Sequence, residues 1–411
     1  VVAAEDGLSE LTKHLAEALR LQWVYGFPHT PRGFDKLTHG MHYYPASLQA
    51  SSARLLLDSV LPGGSVFDPF VGGGTVLIEG MRLGRATIGT DLSPLALFVA
   101  AGRTWLADES SLFTLEQVAA AVVSDVTEKK QEGQPTAAAW ASIHAAIAAR
   151  LANGGPECTA RGAAQALWFC ASAAQESAAR LRHMQPIDPA LHLLKVVTGY
   201  CAKLRRLRKE VPLEVPPPRL THADSRGARE ASAAAAAGDI HADSVGAALT
   251  VDAGAPDLVG AVLTSPPYPA VYNYLSQARQ ARAMLPPKSA GSAGCFAPAG
   301  ATFLTTPVPS GRDWPAEWEA RAEVGAYQAF KRDPKAFRNV WQRDQEAWLA
   351  ATRRRLQPGG RACVIVGDGG GVDALTGMQT AAEGAGLRFL ASATLMMKES
   401  RTEHCLLFEN G

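Results

Sequence analysis

The strongest constraint on the fold is a glycine-rich turn between an apolar strand pattern and an apolar helix pattern. Residues 67–75 read Phe-Asp-Pro-Phe-Val-Gly-Gly-Gly-Thr, and Val-Leu-Ile-Glu-Gly follows at 76–80. Glycine lets the backbone approach a ligand closely, and a helix N-terminus favours negative charge. The turn does not fit the GxGxxG of a dinucleotide-binding turn well, and it lacks the Gly-Lys-Ser/Thr of a P-loop. The pattern therefore predicts a strand, a ligand-binding turn and a helix.

A second short strand pattern follows and ends in an acid. It covers Ala86–Asp91. A carboxylate at the end of such a strand can accept both hydroxyls of a ribose, as in nucleotide-binding α/β folds. The alternative is an ordinary βαβ turn with Asp91 on the surface.

A second motif, Thr-Ser-Pro-Pro-Tyr at Thr264–Tyr268, follows an apolar stretch at 258–263. Such a strand end can hold a planar amine, because acceptors placed on its hydrogens let the nitrogen pyramidalise and attack a methyl group on sulfur. Proline suits the turn, since its φ is fixed and it has no N–H to compete for the amine. Alone the motif is weak evidence, because Pro-Pro pairs also occur in ordinary loops.

Taken together, Asp68–Thr75 and Thr264–Tyr268 resemble the cofactor and catalytic motifs of the S-adenosylmethionine-dependent DNA amino-methyltransferases. These enzymes methylate N4 of cytosine or N6 of adenine. The segment His42–Leu48, which reads His-Tyr-Tyr-Pro-Ala-Ser-Leu, resembles the stretch that precedes the cofactor motif in that family. Three motifs in the family's order are far more specific than any one of them.

The resemblance implies two sets of site residues. The catalytic set is Ser265, Pro266, Pro267 and Tyr268. The cofactor-binding set is Tyr44, Pro45, Ala46, Asp68, Pro69, Phe70, Gly72, Gly74, Thr75, Asp91, Leu92, Asp224 and Thr264. By analogy with the family, Asp68 would lie near the methionine portion of S-adenosyl-L-methionine, Asp91 would bind its ribose and Leu92 would flank its adenine.

The acid at the adenine edge is open between Asp224 and Asp243. Asp224 is favoured, because Arg219–Thr221 makes the better strand and Arg226 matches the family pattern. Asp243 lies in a near copy of the same pattern, closer to the catalytic motif. The disfavoured copy would belong to an insertion.

The alternation of strand and helix patterns predicts an α/β fold. We expect a doubly wound, mostly parallel seven-stranded sheet of the class I methyltransferase type, with a large helical insertion and the ligand at the carboxyl edge. Predicted strands lie at 66–68, 87–89, 219–221, 258–263, 361–366, 387–392 and 404–408. The fifth is entered through a Pro-Gly-Gly turn. The last is expected to be antiparallel, because only a short, polar link precedes it.

Three regions follow from this pattern. Residues 1–106 form an N-terminal segment and the first half of the cofactor-binding core. Residues 107–212 are rich in Ala, Leu and Arg and predict a helical insertion, with substrate recognition as its possible role. Residues 213–411 form the second half of the core, with the catalytic motif, a flexible insertion at 227–256 and a long loop at about 285–335.

Aromatic and basic residues near the insertion each have two interpretations. Trp140, Trp168 and Phe169 are expected to pack in a core rather than to stack on bases. Lys203–Lys209 is the best candidate for contacts with nucleic-acid phosphates, although a solvated helix end is an equal alternative. Further basic candidates are Lys331, Arg332, Lys335, Arg338 and the run 353–355, which looks like an ordinary helix end. Tyr272 and Tyr274 are candidates for lining a base pocket or for anchoring the loop.

Composition excludes several classes of protein. The net charge is +1, from 40 Lys and Arg against 39 Asp and Glu, so any nucleic-acid footprint must be local. The six cysteines form no CxxC pair, which argues against a zinc site or a disulfide framework, and no metal is predicted. No apolar run approaches the length of a membrane span. We expect an intracellular enzyme, located in the cytoplasm or nucleoid of a bacterium or in the nucleus of a eukaryote.

The resemblance implies methylation of DNA, with N4 of cytosine favoured over N6 of adenine because Ser265 heads the catalytic tetrapeptide. RNA methylation on guanine N2 or cytosine N4 is the alternative, since the same fold and tetrapeptide serve tRNA and rRNA modification. A non-catalytic subunit that binds nucleic acid is a third possibility. The intact glycine turn and the intact tetrapeptide argue against it.

Overall fold

The computed structural model describes residues 9–25, 37–44, 47–129, 136–152, 161–181, 187–222, 225–226, 258–270, 333–396 and 402–411. Within them the helices are α1 Glu10–Tyr25, α2 Ala50–Ser59, α3 Thr75–Arg82, α4 Pro94–Arg103, α5 Glu109–Glu128, α6 Thr136–Ala152, α7 Arg161–Leu181, α8 Pro189–Glu210, α9 Pro334–Arg355 and α10 Ala374–Gly384. The strands are β1 Val66–Asp68, β2 Thr87–Asp91, β3 Arg219–His222, β4 Val259–Thr264, β5 Leu356–Gly367, β6 Leu387–Met396 and β7 Thr402–Asn410.

These strands form one sheet in the order β3-β2-β1-β4-β5-β7-β6. The first five strands in that order are parallel, and β7 is antiparallel to both of its neighbours. The chain reverses direction across the sheet between β1 and β4, which is where open α/β sheets bind their ligands. The predicted fold class is therefore confirmed, including the antiparallel last strand.

One predicted strand boundary is wrong. The Pro-Gly-Gly sequence at 358–360 lies inside β5 and does not form a separate turn before it. Val259 pairs with Leu356 and Ala261 pairs with Arg361, so β5 accommodates extra residues in a bulge opposite β4. Proline is tolerated within strands at bulges, because the ladder hydrogen bond that it cannot donate is already absent there.

The sheet is covered on both faces. On one face, α9 and α10 pack through Trp341, Trp348 and Met378 onto side chains of β4, β5 and β7. On the other face, α1 and α2 pack through residues such as Leu15 and Leu56 onto alternate residues of the same strands. Strands buried on both faces explain why β4 is a continuous apolar run.

The predicted helical insertion consists of α5 to α8. Its core is continuous with that of the sheet domain, because Ile78 of α3 and Phe98 of α4 lie in the same hydrophobic cluster as the insertion's own residues. Trp140, Trp168 and Phe169 are buried in this cluster, so the expectation that they are packing residues is confirmed. The insertion is therefore built onto the α3–α4 side of the sheet domain.

Several predictions fall outside the described residues. They concern Pro45, Ala46, Asp224, Asp243, Tyr272, Tyr274, Lys331, Arg332, the insertion at 227–256 and most of the loop at 285–335. In the described ranges Cys170, Cys201, Cys363 and Cys405 are buried free thiols, and these ranges hold no cluster of metal-ligating side chains. Across the same ranges, every helix falls short of the length or apolarity that a membrane crossing demands.

Candidate active site

The two sequence motifs meet where neighbouring parallel strands end. Asp68 is the last residue of β1 and Thr264 is the last residue of β4, and the two strands pair directly. The Thr264 hydroxyl donates a hydrogen bond to Asp68 Oδ1 at 2.7 Å, and the Phe70 backbone N–H donates to the same oxygen at 3.1 Å. Both side chains are buried. This hydrogen bond joins the glycine turn to the Ser-Pro-Pro-Tyr segment.

Asp68 is a buried carboxyl whose pKa is shifted upward. Burial raises the pKa of Asp68 to about 7, against the opposing effect of the hydrogen bonds from Thr264 and Phe70. Nearby Asp91 adds a smaller rise by charge repulsion. A carboxyl that changes charge near neutral pH at a strand end is a feature of functional sites, because ion pairing or exposure usually relieves such a shift elsewhere.

The glycine turn takes up backbone conformations that other residues rarely adopt. Gly72 has φ +47° and Gly74, the residue before α3, has φ +77°. A Cβ on Gly72 would lie 3.2 Å from the Tyr44 ring, and a Cβ on Gly74 would lie 3.0 Å from Ala100 of α4. The turn is therefore wrapped closely by Tyr44 and α4, and the glycines are required at both positions.

Asp91, at the end of β2, faces the same turn. Its Oδ2 accepts the Gly72 N–H at 3.0 Å, and its Oδ1 accepts the Ser93 N–H at 2.8 Å. Burial raises the pKa of Asp91 to about 6, against these backbone hydrogen bonds. Leu92 follows directly and is half-buried. This carboxyl is therefore held by the backbone of the glycine turn, and its role in ribose binding stays a prediction.

Arg103, which the sequence motifs do not include, ties the segment at 41–42 to the glycine turn. Its guanidinium donates to the backbone carbonyls of Met41 at 2.7 Å, His42 at 2.6 Å and Gly73 at 2.8 Å. Arg103 is buried, and burial lowers its pKa to about 10, so it stays charged at neutral pH. The three hydrogen bonds hold the segment at 41–42 against the glycine turn.

One face of helix α7, in the insertion, contacts His42 and Tyr43 of the same segment. His42 has φ +58°, and its ring stacks on Phe169 at a centroid distance of 5.7 Å. His42 Nδ1 donates to the Tyr43 carbonyl at 2.9 Å, so its Nε2 accepts from the Ser172 hydroxyl at 2.8 Å. Burial lowers the pKa of His42 to about 4, which keeps the ring neutral. Further along α7, Arg180 lies 4.8 Å over the Tyr43 ring.

The Ser-Pro-Pro-Tyr segment follows β4 at the same edge of the sheet. Pro266 is buried, and Ser265, Pro267 and Tyr268 are half-buried. The Tyr268 hydroxyl donates a hydrogen bond to Glu403 of β7. The Tyr268 ring lies against Gly367, the last residue of β5. Tyr268 thus spans from the β4 end to the β5–β7 pair.

A polar cluster that the motifs do not include continues along this edge. Asp368 follows β5 and accepts hydrogen bonds from the Thr402 hydroxyl and from the Ala374 N–H at 2.8 Å. His404 Nε2 lies 3.1 Å from Asp368 Oδ1, and its Nδ1 lies 2.9 Å from the Thr394 hydroxyl. A Gly-Asp pair directly after a predicted parallel strand is a signal that sequence reasoning can use, because polar residues at that position face the ligand edge.

Two further predicted residues are placed by packing. The Phe70 ring meets Trp348 of α9 edge-on at a centroid distance of 5.3 Å. Arg226, which matches the family pattern of an Asp followed by a small residue and an Arg, forms a 2.8 Å ion pair with Asp344 of α9. This pair anchors the end of the Asp224 segment, although Asp224 itself lies outside the described residues. The choice between Asp224 and Asp243 stays a prediction.

The basic stretch Lys203–Lys209 lies away from this edge. It forms the last turns of α8, where Leu204 and Leu207 are buried and Arg205 pairs with Glu109 at 2.9 Å. Glu210 pairs with Arg82 at the end of α3, just before β2 begins. Helices that precede parallel strands end at the amino edge, so the C-terminal end of the stretch lies opposite the two motifs. Lys203, at its start, donates a hydrogen bond to the Leu37 carbonyl at 3.2 Å. The run 353–355 forms the last turn of α9, which confirms the helix-end interpretation.

The strand order, with both motifs at the carboxyl edge, defines a class I methyltransferase-like α/β fold. Residues 18–100 match the N6_N4_Mtase family model, described as DNA methylase. The Type II methyltransferase M.MvaI of Kocuria varians is 35% identical over 81 residues, which make up 19% of this chain and 18% of that protein. The matched part therefore spans less than a fifth of either protein. The resemblance to the S-adenosylmethionine-dependent DNA amino-methyltransferases is confirmed through this segment.

Solved structures give a weaker likeness. Two structures of the rRNA methyltransferase aviRa from Streptomyces viridochromogenes align with TM-scores of 0.34 and 0.33 and with 14% and 15% identity. The alignments cover 92% and 93% of this chain and 91% and 94% of those chains. Such TM-scores are too low to carry an argument about fold or substrate.

Proposed function

We propose that this protein transfers a methyl group from S-adenosylmethionine to the exocyclic amine of a base in DNA, with N4 of cytosine favoured and N6 of adenine as the second target. The observation that carries the proposal is the hydrogen bond between Asp68 and Thr264. It brings the cofactor motif and the catalytic motif into direct contact at the ligand edge of the sheet. Neither motif alone is specific, and their contact supports one shared site for both reactants.

The residues of the glycine turn fit the proposed cofactor. Gly72 and Gly74 have positive φ values, which suits a turn whose backbone must approach a ligand closely. A carboxylate can accept up to about four hydrogen bonds, so Asp91 can hold ribose hydroxyls in addition to its backbone N–H groups. Asp68 supplies a carboxylate for the ammonium of the methionine portion. S-adenosylmethionine supplies the electrophilic methyl group when bound.

The catalytic segment supplies positioning and charge relief. The Ser265 hydroxyl and the Pro266 carbonyl accept hydrogens of the target amine, which frees its lone pair as the nitrogen pyramidalises. Tyr268 stacks on the base. A base in duplex DNA must leave the stack to reach this site, and an aromatic platform offsets part of the lost stacking. Serine at the head of the tetrapeptide favours cytosine by the resemblance stated above.

Mass spectrometry of nucleosides tests the reaction and the target. Purified protein is incubated with isotopically labelled S-adenosylmethionine and, separately, with unmethylated DNA and unmodified RNA. Labelled N4-methylcytosine or N6-methyladenine in DNA is the expected result. Label in RNA alone would keep the chemistry and replace the substrate, and label in neither would overturn the proposal.

The cofactor assignment predicts a pH-dependent loss of affinity. Asp91→Ala should weaken S-adenosylmethionine binding about tenfold or more, because a charge-assisted hydrogen bond contributes about 1.5–3 kcal/mol. Wild-type affinity should fall as the pH drops through about 7 and about 6, since the carboxylates of Asp68 and Asp91 take up protons there. The Asp91→Ala variant should keep only the part of this fall that is due to Asp68. Isothermal titration calorimetry between pH 5 and pH 8, values chosen to bracket those pKa values, measures both effects. Unchanged affinity in Asp91→Ala would contradict the assignment.

Substitutions in the basic stretch on α8 are expected to leave DNA binding unaffected. Arg206 and Lys209 are its exposed members, and they lie toward the amino edge of the sheet. We expect Arg206→Ala with Lys209→Ala to leave the salt dependence of DNA binding unchanged. Each lost phosphate contact would lower the slope of log affinity against log salt by about one. A slope reduced by that amount in a fluorescence-anisotropy titration would restore the stretch as a backbone contact.

A further inference from the structure

Tyr268 is held at two points that lie outside its own motif. A Cβ on Gly367 would come within 3.0 Å of Tyr268 Cδ2 and Cε2, so the ring rests on bare backbone at the end of β5. At the far end of the ring, the hydroxyl donates to a carboxylate oxygen of Glu403. Gly367 and Glu403 are direct partners across the antiparallel β5–β7 pair. The paired residues Gly367 and Glu403 therefore contact one side of the ring and its hydroxyl.

Glu403 lies in an environment that disfavours its charge. It is 6% exposed, and burial raises its pKa against the opposing hydrogen bond from Tyr268. A buried carboxyl costs stability unless partners compensate for the lost water. A second carboxyl further along the same strand, Glu409, is paired with Arg361 and Arg388. Glu403 has instead the phenol of the predicted stacking residue, which connects its placement to Tyr268.

A ring that is anchored at its hydroxyl cannot swing about its first side-chain torsion. An unanchored aromatic side chain loses rotational freedom each time a partner stacks on it, and that loss reduces binding. An anchored ring has already lost this freedom in the folded protein. Anchoring the ring is therefore expected to affect the affinity for the substrate more than the rate of the chemical step.

We propose that Glu403 and Gly367 are positioning residues that fix the Tyr268 ring in the plane on which the target base stacks. The inference rests on the proposed function, because it assigns a purpose to Tyr268 within that reaction. Glu403 acts through the Tyr268 hydroxyl and does not touch the reacting atoms. Gly367 acts by leaving room for the ring, since any side chain there would displace it.

The test compares four variants of the full chain. Glu403→Met removes the acceptor at similar length, and Glu403→Gln restores an amide oxygen that can accept from the hydroxyl. Tyr268→Phe removes the other end of the same bond. Glu409→Met is the matched control, since it makes the same change about 20 Å further along β7 at a rise of about 3.3 Å per residue. Methyl transfer from tritiated S-adenosylmethionine to unmethylated plasmid DNA gives kcat and KM for each.

We expect KM for DNA to rise about tenfold in Glu403→Met and in Tyr268→Phe, as for the loss of one hydrogen bond to a charged group. Both kcat and S-adenosylmethionine affinity should change much less. Glu403→Gln should recover most of the loss. The double variant Glu403→Met, Tyr268→Phe should be no worse than either single variant, because both remove the same bond. A residue with only a structural role would not give this division between KM and kcat.

Two failures are distinguishable. If wild-type protein transfers methyl groups but Glu403→Met matches the Glu409→Met control, the positioning inference is overturned and the proposed function stands. If wild-type protein labels no nucleic acid, the proposed function falls and the inference falls with it. Should Glu403→Met not fold, Tyr268→Phe and Gly367→Ala probe the same support without altering β7. Wild-type KM in both of those variants would overturn the inference.

Discussion

Ser265→Ala and Tyr268→Ala are expected to cut methyl transfer strongly while leaving S-adenosylmethionine binding nearly intact, and to do so in different ways. Loss of the Ser265 hydroxyl should lower kcat by about 100-fold, because its hydrogen bond strengthens only as the amine pyramidalises in the transition state. Loss of the Tyr268 ring removes a stacking platform of about 1–3 kcal/mol, so much of its effect should appear in KM for DNA. Steady-state kinetics with labelled cofactor separate the two effects.

The control for these variants is Ser142→Ala. Ser142 lies on α6 and its hydroxyl donates to the Ala138 carbonyl of its own helix, so its removal should leave kcat and KM unchanged. The outcome that would end the amino-methyltransferase mechanism is wild-type labelling of cytosine and adenine by the double variant Ser265→Ala, Tyr268→Ala. If the variants lose activity on RNA alone, the mechanism stands and the DNA assignment falls.

The strand ends were predictable from sequence because their signals are local. Asp68 and Thr264 each follow an apolar stretch and precede a proline or a serine, and Asp91 ends a short strand pattern two residues before Ser93. Parallel strands present their carboxyl ends at one edge of the sheet, and this rule places the two acids and the threonine at the same edge. The hydrogen bond between Asp68 and Thr264 shows that these two strand ends do meet.

The supports of the site were not predictable, because they depend on packing between distant parts of the chain. Arg103 is the last residue of an apolar helix, and nothing near it in the sequence indicates that its guanidinium donates to three loop carbonyls. Glu403 belongs to a strand whose pairing partner was unknown, so its contact with Tyr268 required the sheet order. Periodicity shows which residues are apolar and not what they pack against.

The helical insertion illustrates the same limit. Its helices follow from apolar spacing, and the burial of Trp168 and Phe169 follows from their size. Sequence does not indicate that α7 would also supply Ser172 and Arg180 to the segment beside the glycine turn. The contact of α7 with the segment at His42 and Tyr43 is therefore visible only in the structure, and a role for the insertion in substrate recognition stays a proposal.

Asp68→Asn is expected to stabilise the folded protein at pH 8 and to weaken S-adenosylmethionine binding at the same time. The folded-state pKa of Asp68, about 7, lies above the ordinary value of 3.8, so the folded state binds this proton more tightly than the unfolded state. Stability from this group is thus greatest below the ordinary pKa and is lost as the pH rises through 7. At pH 8 the buried charge destabilises the fold by at most a few kcal/mol, because one pKa unit corresponds to about 1.4 kcal/mol. Asparagine removes that charge and keeps an acceptor for Thr264.

A second buried carboxyl provides the control with the opposite sign. Glu79 is paired with His39 at 2.7 Å and with Arg82 at 2.8 Å. Its pKa is lowered by these partners in spite of burial, so Glu79→Gln should lower stability at pH 8. Thermal unfolding at pH 8 and pH 5 measures both variants, and the gain in Asp68→Asn should shrink at the lower pH. A loss of stability in Asp68→Asn at pH 8 would contradict the raised pKa. A gain without weaker cofactor binding would mean that the charge of Asp68 does not contact S-adenosylmethionine.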